Sequence, residues 1–170
     1  MRLLIAASLI VLAPLVTLAQ QPQPAAPAGA AAALKMFQTS ADVEAIVARA
    51  KAQPPQPLRS TPLFQSPPYA VNIEYRTAVA TSAVHETEAE LFYVVDGSAM
   101  LVTGGRLKEE KRTNATNLSG SGIEGGMSRH VSKGDFVMVP EGTPHWFSAI
   151  DGTIVLMSLH LPRAPRATAP

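Results

Sequence analysis

Residues 133–147 read KGDFVMVPEGTPHWF. A charged turn leads into the apolar run Phe136–Val139. Pro140, Gly142 and Pro144 then punctuate a turn, and a second strand restarts at His145. Proline fixes its own φ and glycine reaches conformations closed to other residues, so this turn is rigid and sharp. An imidazole at its exit is held in place more firmly than a surface histidine requires. A metal ligand needs that placement, and a capped core histidine also fits it.

The surrounding sequence has the same texture. Upstream lie AVNIEYRTAVA (70–80), SAVHE (82–86), ELFYVVDG (90–97) and AMLVTGG (99–105). Downstream lie RHVSKGD (129–135), HWFSAI (145–150) and TIVLMSLHL (153–161). Many short β runs separated by Gly, Asp and Pro predict an all-β antiparallel barrel or sandwich. Residues 104–128, GGRLKEEKRTNATNLSGSGIEGGMS, show no such alternation and read as a long irregular loop, either a mobile flap at a pocket mouth or a solvated excursion.

Side chains alternate across a strand. His145, Phe147 and Ala149 therefore share a face, as do Glu90, Phe92 and Val94, and Thr81, Ala83 and His85. If these faces point into one barrel, His85, Glu90 and His145 converge at one end of it. Two imidazoles and one carboxylate suit a divalent first-row metal and leave coordination positions open. His160 shares a face with Ile154, Leu156 and Ser158; it reads as a satisfied edge residue, with a pocket-lining proton shuttle as the alternative. Asn72, Glu74 and Arg76 alternate as a solvated strand face or as anchors for a polar substrate. Tyr93 and Trp146 have the opposite parity to Glu90 and His145 and should face away from them.

These residues resemble the two motifs of the cupin superfamily. Gly134, Pro140, Gly142 and His145 match the second motif, G-x5-P-x-G-x2-H-x3-N, at every spacing, with Ala149 in place of its last residue. His85, Glu90 and Gly97 match the second half of the first motif, and Ala83 stands where its first histidine is usual. The stretches VHETEAELFYV, LVTGG and GTPHWF resemble those of small exported bacterial single-domain cupins of the type-2 kind. The resemblance covers residues 69–162. It implies a jelly-roll barrel with one N-terminal α-helix, and one divalent metal ion (Fe, Mn, Zn or Ni) held by His85, Glu90 and His145. It also implies a homodimer. Glu86 and Glu88 are near enough in sequence to stand in for the missing ligand.

The N-terminal part reads differently. Residues 1–19, MRLLIAASLIVLAPLVTLA, have one early cation, an apolar run broken by Pro14 and a small residue at the end, the pattern of a secretory signal peptide. A flexible Pro/Ala-rich spacer follows over 20–38. Thr39 or Ser40 caps an amphipathic helix over 39–52, with Val43, Ile46, Val47 and Ala50 as its apolar stripe. Residues 53–68, QPPQPLRSTPLFQSPP, read as an extended Pro-rich arm, and 163–170 as a tail.

Composition narrows the function. Loss of residues 1–19 takes Arg2 with it and leaves 13 basic residues against 13 acidic. A neutral chain of this kind is neither an electrostatic nucleic-acid binder nor a polybasic membrane protein, and nothing in it predicts membrane insertion once the signal is removed. There is no cysteine, hence no disulfide framework and no lipoprotein anchor. No G-x-S-x-G, P-loop or dinucleotide fingerprint is present. The expectation is a periplasmic or secreted cupin acting on a small molecule. It is either a metal-dependent enzyme of the dioxygenase, isomerase or lyase type, working on a small organic acid or phenolic compound, or a binding and sensing module without turnover.

Overall fold

The structure is a computed structural model that describes residues 36–163. The expected signal peptide, the spacer up to residue 35 and residues 164–170 of the tail lie outside the described residues. Among the described residues one helix, α1 (Ser40–Ala52), precedes eleven strands. These are β1 (Leu58–Ser66), β2 (Tyr69–Arg76), β3 (Ser82–His85), β4 (Glu88–Thr103), β5 (Arg106–Lys108) and β6 (Lys111–Arg112). They continue as β7 (Asn117–Gly120), β8 (Gly122–Glu124), β9 (Met127–Ser132), β10 (Phe136–Val139) and β11 (His145–Pro162). Every pairing among them is antiparallel. The fold is an all-β jelly roll with a single helix.

The long strands β4 and β11 form its spine. The first half of β4 pairs with the second half of β11 and with β10, and β2 and then β1 extend that layer. The second half of β4 pairs with the start of β11 and with β9, while β3, β7 and β6 extend the other layer. Three register shifts let β11 bend from one layer to the other. Gly97 marks the same corner on β4. Its φ is +80°, and a Cβ there would lie 2.0 Å from the Thr153 carbonyl oxygen. Between the layers Phe92, Val94, Ala99, Leu101, Val131, Val139, Phe147, Ile154 and Leu156 form one buried core. That core holds the two halves of the spine, and with them the site, in fixed relation.

α1 covers the outer face of the β1–β2–β11 layer. Thr39 caps it through a reciprocal bond with Asp42, and Ile46 packs with Leu63, Ile73 and Val155. Within the stretch expected as an extended Pro-rich arm, Leu58–Ser66 is a strand on the edge of β2. Its register shifts between Pro62 and Phe64, where proline removes a donor, which only an edge strand tolerates.

Residues 104–128 are corrected by the structure. They are not one irregular loop: β5 pairs with β8, and β6 and β7 extend the layer beyond β3. Strands of two to four residues, broken by Gly and charged residues, are too short to show a period of two in sequence. The solvated reading of β2 is corrected as well. Glu74 and Arg76 are buried, paired at 2.7 Å, and the Arg76 guanidinium lies 4.6 Å from the centre of the Phe147 ring.

Candidate metal centre

The turn before His145 does more than aim one ring. Gly142, at φ +69°, donates its N–H to the backbone oxygen of His85 at 2.7 Å. The turn thus ties the end of β3 to the start of β11. Glu90 enters from β4 in the opposite layer. The structure brings the three residues together, each offering one ligand atom, all within 4.8 Å of one another. Glu90 Oε2 lies 3.3 Å from His85 Nε2 and 3.2 Å from His145 Nε2.

The outer atoms of each ring decide what the inner atoms can do. His85 Nδ1 is 2.9 Å from Asn117 Oδ1, and His145 Nδ1 is 3.2 Å from the Thr143 carbonyl. Both partners are acceptors, so each Nδ1 carries a proton, and a ring that holds no second proton turns its Nε2 lone pair inward, whereas a ring that holds one turns an Nε2–H toward Glu90. With both rings neutral, two lone pairs and a carboxylate oxygen face one another in a buried space, and only a positive charge reconciles them. Burial works against the charge on Glu90, but hydrogen bonds from His145 and His85 outweigh it and hold the carboxyl well below its usual range. Burial likewise pushes His85 down, yet its bonds to Glu90 and Asn117 raise it above its ordinary value. In the metal-free protein that shift favours a proton on His85. The donor set fits a divalent cation in the same place.

Glu90 is also gripped from behind. Ser158, fully buried on β11, donates to Glu90 Oε1 at 2.5 Å. His160 is not merely an edge residue: its Nε2 lies 3.5 Å from the same oxygen, its Nδ1 bonds Glu88 Oε2 at 2.8 Å, and its ring meets that of His85 at 4.9 Å. Register explains the arrangement, since Ser158 pairs with Phe92 and His160 with Glu90. Neither acidic neighbour joins the three ligand atoms, because Glu86 is taken by Arg112 and Glu88 by His160. Ala83 sits directly across from His145. Tyr93 stacks on Phe136 with ring centres 4.6 Å apart, and Trp146 Nε1 donates to the Ala80 carbonyl, so both turn away from the centre. His130 is exposed and pairs with Asp151.

The sequence profile of the family described as Cupin matches residues 61–164. No curated protein matches the chain. Solved structures with a similar fold include TT1209 from Thermus thermophilus (17% identity, 69% of this chain and 95% of that one, TM-score 0.47). KdgF from Halomonas sp. is another (18%, 65% and 84%, 0.46). A third is the Fe(II) form of HppE (14%, 62% and 52%, 0.48).

Proposed function

The chain belongs to the cupin family, and from that premise we propose that it is an exported, periplasmic or secreted metal-dependent enzyme. His85, Glu90 and His145 hold one divalent ion, of iron, manganese, zinc or nickel. The observation that carries this reading is the convergence of two anchored Nε2 atoms on one buried carboxylate oxygen. The ion, when bound, supplies a Lewis acid or a centre for oxygen chemistry. The protein's part is to keep three ligands fixed and the remaining coordination positions open. Asn117 and Thr143 orient the rings, Ser158 holds the far oxygen of Glu90, and Phe92 packs against His145 with ring centres 5.9 Å apart. Substrates are small organic acids or phenolic compounds, transformed by dioxygenase, isomerase or lyase chemistry, and the working unit is a homodimer.

Ala83 supports a second reading. With three protein ligands in place of the family's usual four, the centre also suits capture of a small ligand without turnover. Incubation of the metal-loaded protein with catechols and keto acids, with and without oxygen, separates the two. A product from any of them that is absent with Glu90→Gln supports the enzyme. Saturable binding with unchanged ligand supports the binding module.

A further inference from the structure

β9 and β10 each end one layer on the same side of the barrel, since each pairs only with β4 among the described residues. Between them opens a cleft of about 270 Å³. Its walls are Leu101, Val137, Val139 and Pro140, with the exposed Phe136 and Met138 at its rim. The volume lies just below the range for small-molecule sites, roughly 300–1,000 Å³, which suits a compact ligand. The polar side chains in the lining are the hydroxyls of Thr103 and Thr143 and the guanidinium of Arg129, which brings a positive charge to the cleft. Arg129 is exposed, and its guanidinium makes a weak contact of 3.5 Å to the sulfur of Met127.

The cleft borders the metal centre through the strand ladders. Val139 is the register partner of Glu90, and Thr103 is the register partner of His145. Thr143, whose carbonyl holds the His145 ring, also lines the cleft. Arg129 is the register partner of Leu101, two strands from β11. Two strand spacings and two residues of rise put its Cα about 12 Å from that of His145. The long Arg129 side chain spans part of that gap.

We propose that this cleft is the ligand subsite, and that Arg129 selects a monoanionic organic acid with a compact apolar or aromatic body. The body lies against Val137, Val139 and Leu101, and the carboxylate pairs with the guanidinium, whose fork matches its two oxygens. The inference rests on the metal-centre reading only for what happens at the other end of the ligand. Recognition by Arg129 stands on the cleft alone.

The test uses benzoate and 3-phenylpropionate as probes, with benzamide as the neutral counterpart of benzoate. Binding to zinc-loaded and to metal-free protein is followed by NMR of the Val137, Val139 and Thr143 methyl groups. Saturable shifts of these methyls with the carboxylates are expected, weakened at least tenfold in Arg129→Gln and partly restored in Arg129→Lys. Benzamide binding should be indifferent to both changes. Arg129 is exposed and remote from the ligands, so metal content should be unchanged in either variant. Equal carboxylate affinity in Arg129→Gln overturns the proposal, as does the absence of saturable shifts in these methyls. Carboxylate binding in protein that takes up no metal would uphold this subsite and sink the metal centre instead.

Discussion

Ser158 exposes no surface and spends its hydroxyl on Glu90 Oε1, leaving Oε2 to face the two imidazoles. Loss of a partner that orients a ligand typically costs about 10–100-fold in metal affinity. Ser158→Ala should therefore weaken zinc binding by about that factor in a chelator competition, while far-UV circular dichroism stays the same. Unchanged affinity would mean that Glu90 is held well enough without it. The titrating groups give a second prediction. His85 is raised above 6.5, so its contribution to stability is complete below that pH and is lost as pH rises through its folded value. Glu90 is lowered from 4.5, so its contribution is complete above 4.5 and is lost only in strong acid. Metal-free protein should accordingly melt at a lower temperature at about pH 8 than at about pH 6. Saturating zinc should reverse the trend, because it needs deprotonated imidazole. Parallel trends with and without zinc would contradict the shared site. At this scale, spacing and parity singled out His85, Glu90 and His145. Ser158, His160 and Asn117 were not legible as their supports, because each meets its partner through strand register, which a single chain does not spell out. Glu74 and Arg76 misled for a related reason: alternating charges on a strand look the same whether the face is wet or closed over by a second layer.

At the scale of elements, the corner of the β4–β11 spine is the sharpest constraint. Gly97→Ala places a methyl against a backbone oxygen, at a φ that alone costs roughly 1–2 kcal/mol for an L-residue. The expected result is a clear fall in the urea midpoint with little change in slope. A neutral outcome would mean that the corner relaxes freely. The helix is a milder case. Thr39→Ala should cost about 1 kcal/mol and speed amide exchange in Ser40–Ala52 without altering metal uptake. Its cap and stripe were readable because helix signals are local. β1 was harder: prolines argue against strands in general, and only the edge position of Leu58–Ser66 admits them. The short strands between Arg106 and Glu124 were unreadable because two to four residues carry no usable period.

The molecule as a whole joins two halves of one site across two layers. His85 and His145 come from one layer and Glu90 from the other, so the ligands meet only when the core between the layers has closed. Metal uptake should therefore report folding of the whole barrel, and the ion should in turn stabilise it by mass action. The most direct test is the metal content of residues 20–170, purified without chelator or affinity metal, beside His145→Ala. The account predicts close to one divalent ion per chain in the native protein, none in the variant, and matching circular dichroism for both. Full metal in His145→Ala, or none in the native protein even after reconstitution, would contradict it.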